Sequence, residues 1–537
     1  MSKTITISKN QATQWGWTVD AAAVVYEPDA IKERLSQLHL PCYIITDGDQ
    51  IGMASQAQLG GNGLPVIAYS APTTAADLGT ESFKKAHNVR YAYHCGAMAN
   101  GIASENLVIA LGKAGIICSF GAAGLVKSRV EEAIHRIQAE LPSGPYAFNL
   151  IHSPSEPALE EANVNLFLEH GVKTVEASAF LALTGSIVQY RLSGLEKATD
   201  GSVIINNRVI AKVSRTEVAS KFMEPAPEKI VTKLIEEGLI TAEQAELSQR
   251  VPMADDITAE ADSGGHTDKR PFITLLPTII NLRDEIQAKY QYATPLRVGV
   301  GGGIGTPSSA LAAFVMGASY IVTGSINQAC TQAGASEHTR KILAEAAVTD
   351  VAMAPAADMF EMGVKLQVLK RGTLFPMRAQ KLYDIYSQYD SIEAIPADER
   401  QKIEKQIFRA NLDDIWTGCI EFFNERDPQQ IQRAQNNPKR KMALIFRWYL
   451  GLSSRWSNTG EPGREMDYQI WAGPSMGAFN AWTQGTYLEE YQNRDAVDVA
   501  EHMLRGAAYL YRIQQLKSQG VDFPVELSQY KPLQKLI

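Results

Sequence analysis

Short apolar runs alternate with stretches of helical periodicity from about residue 90 to about residue 330. This alternation is typical of βαβ units and predicts a parallel sheet. Eight runs within roughly 235 residues match the strand number and size of a TIM-type (β/α)8 barrel, although an open, doubly wound sheet shows the same periodicity. The eight runs are YAYHCG (91–96), IICSFG (116–121), YAFNLI (146–151), TVEAS (174–178), RVIAKV (208–213), DDITAE (255–260), LRVGVGG (296–302) and YIVTGS (320–325).

The pattern changes on both sides of this segment and divides the chain into three predicted domains. Residues 1–85 contain the strand-like runs PCYIITD and GLPVIAYSAP and predict a small N-terminal α/β lobe. Residues 86–335 hold the predicted barrel, with an extra hairpin, SVIINNRVI (202–210), that is expected to turn at Asn206 and Asn207. After about residue 335 the strand pattern stops, and amphipathic segments predict a helical substrate-cap domain over 336–537.

Composition and charge narrow the possible classes of function. The net charge of -8 disfavours a general nucleic-acid binder, which needs a basic face. The start, MSKTITISKNQ, lacks the apolar segment of a signal peptide, and no stretch reaches the roughly 18 apolar residues of a membrane span. The five cysteines are scattered without a CxxC pair, as in a reducing cytosol. We expect a soluble, cytoplasmic protein without nucleic-acid or membrane partners, and a homodimer from the size of its apolar helical third.

Two glycine-containing loops follow the seventh and eighth predicted strands. LRVGVGGGIGTPSS (296–309) runs from a strand through glycines into a helix, and YIVTGSIN (320–327) repeats this arrangement with Gly324 and Ser325. Glycines let backbone N–H groups approach a phosphate, and TIM-type barrels commonly bind phosphate with these two loops. Tight turns are the alternative explanation. No GxGxxG with a downstream ribose-binding acid stands out, which disfavours a Rossmann NAD site.

A third segment, ITAEADSGGHTDKRP (257–271), follows the sixth strand. It places Glu260, Gly264, Gly265 and His266 at the carboxyl end of that strand, where barrel enzymes hold their catalytic groups. A histidine has a pKa suited to proton transfer near neutral pH, and the adjacent glycines give a ligand access to the backbone. We interpret His266 as a catalytic or ligand-contacting residue, with a structural histidine as the alternative.

The end of the first strand, HCGAMANG (94–101), is rich in small residues that leave room for a planar ring, and Met98 can pack on the face of such a ring. Asn149 is a polar residue in the apolar third strand, suited either to a ligand contact or to a hydrogen-bonded turn. Ser–His–acid, HExxH, Walker A and EF-hand patterns are absent from the sequence. His94, His152 and His170 lack metal-ligand spacing, so no metal site is predicted.

Five short motifs occur in order at the predicted strand ends: GAM, FNLI, AExxxGGH, GGI and GS. Together they resemble the nitronate monooxygenase-like FMN barrels, which include FMN-dependent bacterial enoyl-ACP reductases. Residues 349–386 and the segment WAGPSMGAFN extend the likeness. They resemble the trans-acting enoyl reductases of polyketide synthases, and most of all the reductase subunit of bacterial polyunsaturated (omega-3) fatty acid synthases. At this level the resemblance covers nearly the whole chain.

The resemblance implies a hydride relay from NADPH through FMN to the β-carbon of a 2-enoyl thioester. His266 occupies the position of the family's active-site histidine and is expected to donate or orient the proton for the α-carbon. Two family glycines are replaced here, by Ala97 and by Ala261, which changes ring contacts more than cofactor binding. The expected cofactor-binding positions are Gly96, Ala97, Met98, Asn149, Lys212, Glu260, Gly264, Gly265, Gly302, Gly303, Gly324 and Ser325, the last four on the FMN phosphate.

The family also implies that an acyl carrier protein, whose surface is typically acidic, presents the substrate. Lys439, Arg440, Lys441 and Arg447 form a basic patch on an otherwise acidic chain and are predicted to dock the carrier, with a solvated helix end as the alternative. Two other functions stay open. One is a nitronate monooxygenase-type flavin oxygenase, and the other is a flavin-free scaffold protein that binds carrier domains. The choice between NADPH and NADH also stays open.

Overall fold

The N-terminal lobe is built on a five-stranded sheet with the order β4–β3–β6–β2–β5. The computed structural model describes residues 5–7, 16–152 and 157–536. Most of the N-terminal segment MSKTITISKNQ, which is predicted not to be a signal peptide, lies outside the described residues. Ile31 and Leu35, one turn apart on α1, are buried, and the predicted α/β lobe is confirmed. The elements are β1 (Thr6–Ile7), β2 (Trp17–Val19), α1 (Pro28–Ser36), β3 (Cys42–Asp47), β4 (Gln50–Ala54), β5 (Gln58–Leu59), β6 (Leu64–Ser70) and α2 (Glu81–His87).

All eight predicted barrel runs are strands of one closed parallel barrel. The strands are β7 (Tyr93–Cys95), β8 (Ile117–Phe120), β9 (Ala147–Ile151), β10 (Thr174–Ser178), β13 (Arg208–Val213), β14 (Asp256–Glu260), β15 (Arg297–Gly301) and β16 (Ile321–Thr323). They pair in this order around the barrel, and β16 pairs with β7 to close it. The (β/α)8 barrel is therefore confirmed over the open sheet.

Helices cover the outside of the barrel. Their apolar residues recur at helical spacing; on α4, for example, Val130, Ala133, Ile134 and Ile137 are buried against the strands. The helices are α3 (Glu105–Lys113), α4 (Lys127–Glu140), α5 (Pro157–Glu169), α6 (Gly185–Leu192), α7 (Thr216–Met223), α8 (Glu228–Glu236), α9 (Ala242–Ser248), α10 (Phe272–Tyr290), α11 (Pro307–Val315) and α12 (Ser325–Gln328).

An extra hairpin does lie between β10 and β13, but the prediction that it spans 202–210 and turns at Asn206 and Asn207 is wrong. The hairpin consists of β11 (Leu195–Lys197) and β12 (Val203–Ile205), which pair antiparallel. The chain turns between them, where Asp200 accepts a hydrogen bond from the backbone N–H of Ser202 at 2.9 Å. Asn207 instead leads directly into β13, and its buried side chain donates to the carbonyl oxygen of Tyr190. Asn207 therefore serves here as a buried connection into β13 and not as part of a turn.

The C-terminal third contains a hairpin that the sequence analysis missed. After α13 (Glu337–Ala344), the strands β17 (Val351–Pro355) and β18 (Lys365–Leu369) pair antiparallel, so the prediction that strands end near 335 is wrong. Among the described helices, none is both long and apolar enough to cross a membrane. The remaining elements are α14 (Phe375–Gln388), α15 (Ala397–Ile403), α16 (Leu412–Arg426), α17 (Pro428–Gln435), α18 (Pro438–Thr459), α19 (Ser475–Thr483), α20 (Ala496–Ser518), β19 (Val521–Asp522) and α21 (Val525–Ser528).

The two ends of the chain are joined through α20 and β19. β19 pairs with β1, and α20 packs on α11 of the barrel as well as on the N-terminal lobe. The fully buried guanidinium of Arg512 donates to backbone carbonyls at and just beyond the carboxyl end of α1, within 3.2 Å, those of Leu35, Gln37, Leu38 and Leu40. A cation at this end also complements the helix dipole. The domain boundaries at 85 and 335 stay predictions.

Replacing Arg512 by Met is expected to lower the stability of the chain by at least about 3 kcal/mol. Each buried carbonyl that loses its donor costs about 1–3 kcal/mol, and Met keeps the apolar stem without supplying a donor. The thermal midpoint and the urea midpoint of unfolding measure this loss. Arg505 on the same helix contacts one carbonyl, that of Ser36, and is the matched control. Equal losses in Arg512→Met and Arg505→Met would show that the carbonyl cluster does not decide the stability.

Candidate active site

The loops that carry the predicted site residues meet at one end of the barrel. Because all eight strands are parallel, their carboxyl ends open on the same side. Gly96 follows β7, Gly302 follows β15 and Gly324 follows β16, while Glu260 is the last residue of β14. Lys212 and Asn149 lie near the carboxyl ends of β13 and β9. The structure thus brings together the predicted cofactor-binding positions.

The loop of Gly96, Ala97 and Met98 is held in place by two backbone hydrogen bonds. Gly96 donates its N–H to the carbonyl oxygen of Thr323 at 3.0 Å. Ala97 donates its N–H to Oε2 of Glu176 on β10 at 2.9 Å. The first bond fixes the loop against β16, and the second fixes it from across the barrel.

Glu176 is a site residue that the sequence analysis missed. It is 1% exposed, and its Oε1 has no hydrogen-bond partner among the described residues. Asn149 lies beside it and donates from Nδ2 to the Glu176 carbonyl oxygen at 3.1 Å and to Ser178 Oγ at 2.9 Å. The signal in the sequence was an acid inside the apolar run TVEAS. A buried carboxylate oxygen without a donor is an acceptor available to a ligand.

Lys212 and Glu260 form an ion pair at the mouth of the barrel, with Nζ 2.8 Å from Oε1. Burial alone would lower the pKa of Lys212, but the carboxylates of Glu260 and Glu176 outweigh burial and raise that pKa. The ammonium group therefore stays charged, and it balances the two carboxylates that face it.

The hairpin β17–β18 clamps the loop that carries His266. Gly265 and Gln367 exchange two backbone hydrogen bonds, of 2.9 and 2.7 Å. The Gln367 side chain also donates to Asp262 Oδ1 and to the Ser263 carbonyl oxygen, both at 2.8 Å. The C-terminal third therefore builds part of the site and is more than a cover over it.

This hairpin also brings Asp358, a second missed residue, to His266. His266 Nε2 lies 3.2 Å from Asp358 Oδ1, in ion-pair contact, and the two side chains are 38% and 48% exposed. Burial alone would lower the pKa of His266, but the Asp358 carboxylate outweighs it, with help from Glu260, so the pKa is raised. Asp358 therefore favours the protonated imidazolium, which is the form that can donate a proton.

In the predicted phosphate site, the loop after β15 packs tightly against other backbone at Gly302. Gly302 has a φ of +88°, and a Cβ on it would lie 2.6 Å from the carbonyl carbon of Ala261. Gly303 also has a positive φ, of +77°. Gly302 therefore requires glycine for its close backbone approach, whereas at Gly303 only the left-handed conformation favours glycine.

The segment 471–475 lies directly on these barrel loops. Trp471 pairs with Val368 of β18, and Gly473 donates its N–H to Ser325 Oγ at 3.0 Å. Gly264 is packed so closely that a Cβ on it would lie 2.7 Å from the backbone nitrogen of Ala472. Because the Ser325 hydroxyl accepts from Gly473, its own hydrogen is left to donate elsewhere. The sequence pattern predicts no site residue in this segment.

The predicted basic patch lies on α18, and its cations have partners within the chain. Lys439 contacts the carbonyl oxygens of Tyr386 and Tyr389 and lies 3.6 Å from Asp390. The other three contacts are Lys441 with Glu393 at 3.4 Å, Arg447 with Glu361 at 3.3 Å and Arg440 with Gln430 at 2.6 Å. These pairs reduce the positive potential of the patch, and its role in carrier docking stays a prediction.

Two family descriptions match parts of the chain outside the barrel. Residues 17–69 match the N-terminal domain of the fatty acid synthase protein PfaD. Residues 389–468, which include α15 to α18, match the inserted helical domain of acyl-carrier-protein S-malonyltransferase.

Longer relatives match most of the chain. A polyunsaturated fatty acid synthase protein of Thraustochytrium sp. is 50% identical over 506 residues, which are 93% of this chain and 34% of that relative. Polyketide biosynthesis protein PksE of Bacillus subtilis is 45% identical over 441 residues, 82% of this chain and 57% of PksE. This chain thus spans about a third of the first relative and just over half of the second.

A solved structure matches both the barrel and the segments around it. The enoyl reductase domain of MlnA, from the macrolactin biosynthesis cluster of Bacillus amyloliquefaciens, is 39% identical to this chain, with a TM-score of 0.78. The match covers 82% of this chain and 99% of that domain. The resemblance seen in the sequence is therefore confirmed, and the chain belongs to the family of enoyl reductases found in polyketide and polyunsaturated fatty acid synthases.

Proposed function

We propose that this chain is an FMN-dependent enoyl reductase of polyunsaturated fatty acid or polyketide biosynthesis. It reduces the 2,3 double bond of enoyl thioesters on an acyl carrier protein and draws its reducing equivalents from NADPH. The observation that carries the proposal is the His266–Asp358 ion pair at the barrel end where the glycine loops meet. A protonated histidine at that position is suited to deliver the proton that saturates the α-carbon.

The residues at this end of the barrel fit FMN. Gly302 and Gly303, both with positive φ, offer backbone close to a phosphate, and the Ser325 hydroxyl has a hydrogen to donate to it. Glu176 Oε1, buried and without a partner among the described residues, can accept the ring N–H of an isoalloxazine. The loop of Gly96 to Met98 lies beside this carboxylate, as a wall for the ring requires.

When bound, FMN supplies the reducing chemistry that an ordinary side chain lacks. The protein supplies the proton and the geometry. Because Nε2 of His266 faces Asp358, Nδ1 is the nitrogen left to donate to the substrate. The Asp358 carboxylate, in ion-pair contact with Nε2, stabilises the positive charge of the ring before the transfer. The hairpin β17–β18 and the segment 471–475 hold the surrounding loops in place.

An anaerobic absorbance experiment on the 537-residue chain tests the proposal. Flavin bands that bleach with NADPH and return when a 2-enoyl thioester is added would support the enoyl reductase. Bleaching that is reversed only by oxygen would favour the nitronate monooxygenase-type oxygenase. A colourless protein that does not bind added FMN would favour the scaffold protein. Comparing carrier-bound with coenzyme A-bound substrate then tests the acyl carrier protein as the partner.

Replacing Asp358 by Asn is expected to move the alkaline limb of the kcat/KM–pH profile to lower pH. The carboxylate raises the pKa of His266, so its removal lowers that pKa and the imidazolium is lost at lower pH. Steady-state rates over a pH series measure the change. Asp384→Asn, an exposed position on α14, is the control and should leave the profile unchanged. A profile of Asp358→Asn that coincides with the wild type would remove Asp358 from the mechanism.

A further inference from the structure

Three potential metal ligands meet in the outer helical layer of the barrel, and the proposed reductase function does not use them. We propose that Glu131, His135 and His170 form a binding site for a divalent transition-metal ion of the Zn²⁺ class. Glu131 and His135 lie four residues apart on one face of α4, and His170 directly follows α5. An ion bound there would link these two helices.

The separation of the two imidazole nitrogens matches a tetrahedral ion. His135 Nε2 lies 3.3 Å from His170 Nδ1, and one ligand atom from each of the three residues falls within 4.8 Å of the others. Zinc–nitrogen bonds of about 2.0–2.1 Å at tetrahedral angles place two ligand atoms about 3.3–3.4 Å apart. The two imidazole nitrogens therefore already have the separation that coordination requires. Glu131 contacts the other nitrogen of His170, Nε2, at 3.2 Å, and its carboxylate has to turn from there toward the ion beside Nδ1.

The site is also held in position before an ion arrives. Gln138, on the same helix as Glu131 and His135, donates from Nε2 to the His170 carbonyl oxygen at 2.8 Å. The same amide group contacts the Tyr146 hydroxyl at 3.1 Å. This bond fixes the end of α5 against α4, so the backbone of His170 is in place before an ion binds. The sequence could not show the site by spacing, because His135 and His170 are 35 positions apart.

The ligand types select the class of ion. Two imidazole nitrogens and one carboxylate suit Zn²⁺, Ni²⁺, Co²⁺ or Cu²⁺, whereas Mg²⁺ and Ca²⁺ prefer sites made of oxygen atoms. Three protein ligands leave the fourth tetrahedral position to a water molecule. Since His135 is exposed, an ion reaches the site directly from solvent.

Calorimetric titration of the chelator-treated 537-residue chain with ZnCl₂ tests the site, with the Co²⁺ absorption spectrum as a report on coordination. The wild type should bind one ion more tightly than His135→Ala, His170→Ala and Glu131→Ala do, each by about tenfold or more. It should show a tetrahedral cobalt spectrum that His135→Ala lacks, and its thermal midpoint should rise with Zn²⁺ but not with Mg²⁺.

His39→Ala is the matched control, because His39 is an exposed histidine in the N-terminal lobe. Its Zn²⁺ affinity and cobalt spectrum should equal those of the wild type. Wild-type Zn²⁺ affinity in any of the three ligand variants would overturn the three-ligand site. The outcome does not depend on FMN or on enoyl reduction, so failure here and failure of the proposed function are distinguishable.

Discussion

Replacing His266 by Gln is expected to lower kcat for enoyl thioester reduction by about 10²–10⁴-fold, the contribution typical of a positioned general acid. Gln keeps a hydrogen-bonding side chain at the clamped loop but cannot donate a proton from a charged ring. Because Gly265 and Gln367 hold the loop through backbone atoms, the substitution should leave the fold intact. Stopped-flow absorbance separates the two half-reactions, and steady-state rates give kcat.

Bleaching of the flavin bands by NADPH should be unchanged in His266→Gln, whereas their return with enoyl thioester should be slowed. This contrast distinguishes a lost proton donor from a damaged cofactor site. His39→Gln, remote in sequence and exposed, controls for the loss of a histidine as such. If His266→Gln keeps kcat within about threefold of the wild type, another group or solvent supplies the proton and the assignment is wrong.

The barrel could be predicted because each of its strands has a local pattern. Parallel strands buried on both faces occur as continuous apolar runs, and each of the eight runs contains a strand within one or two residues of its bounds. The rule that parallel strands open at one end then located Gly96, Glu260, Gly302 and Gly324 together. No tertiary information was needed for this part of the site.

Asp358 and Gln367 could not be predicted in the same way, because their roles depend on a contact between distant segments. Gln367 and Asp262, which hydrogen-bond to each other, are 105 positions apart. The alternating run KLQVL (365–369) was a strand signal, but the amphipathic helices around it led to a purely helical prediction. Tertiary packing determines which loop the hairpin contacts, and the local sequence pattern carries no information about that packing.

Glu176 shows a different limit. The acid inside TVEAS was visible as an anomaly in an apolar strand. Its importance comes from the N–H of Ala97, which reaches it from another strand end, and from the charge of Lys212 nearby. An acid inside an apolar run can be noticed in a sequence, but only the closed barrel shows which groups its carboxylate contacts.

Ala261, which stands where the family has a glycine, lies against the backbone of Gly302. Ala261 is 1% exposed and donates its N–H to the Gly301 carbonyl oxygen at 2.7 Å, so the loop after β14 lies on the loop after β15. The proton-donating loop and the predicted phosphate loop are therefore in direct backbone contact. A change that separates them should disturb both cofactor binding and catalysis.

Replacing Gly302 by Ala is expected to weaken FMN binding by more than about tenfold and to abolish most activity. The left-handed conformation costs an L-residue about 1–2 kcal/mol, and overpacking adds about 1–3 kcal/mol. The new Cβ would lie 2.6 Å from Ala261 and 2.9 Å from the carbonyl oxygen of Asp262, and these are backbone atoms that cannot rotate away. Against a typical stability of about 5–15 kcal/mol the domain should still fold, with its two loops displaced.

Gly303→Ala is the matched control, because Gly303 has a similar φ of +77° but a Cβ there would lie 3.4 Å from the Phe272 ring, an ordinary contact. Gly303→Ala should therefore lose only the free energy that the left-handed conformation costs an L-residue, and its loss of FMN affinity should be smaller. Fluorescence titration of the apoprotein with FMN gives the two Kd values, and thermal unfolding gives the two stabilities. Wild-type FMN affinity in Gly302→Ala would show that the loop after β15 does not bind the phosphate, whatever the stability of the variant. A Gly302→Ala variant that loses affinity far beyond Gly303→Ala would instead tie cofactor binding to the contact between these two loops.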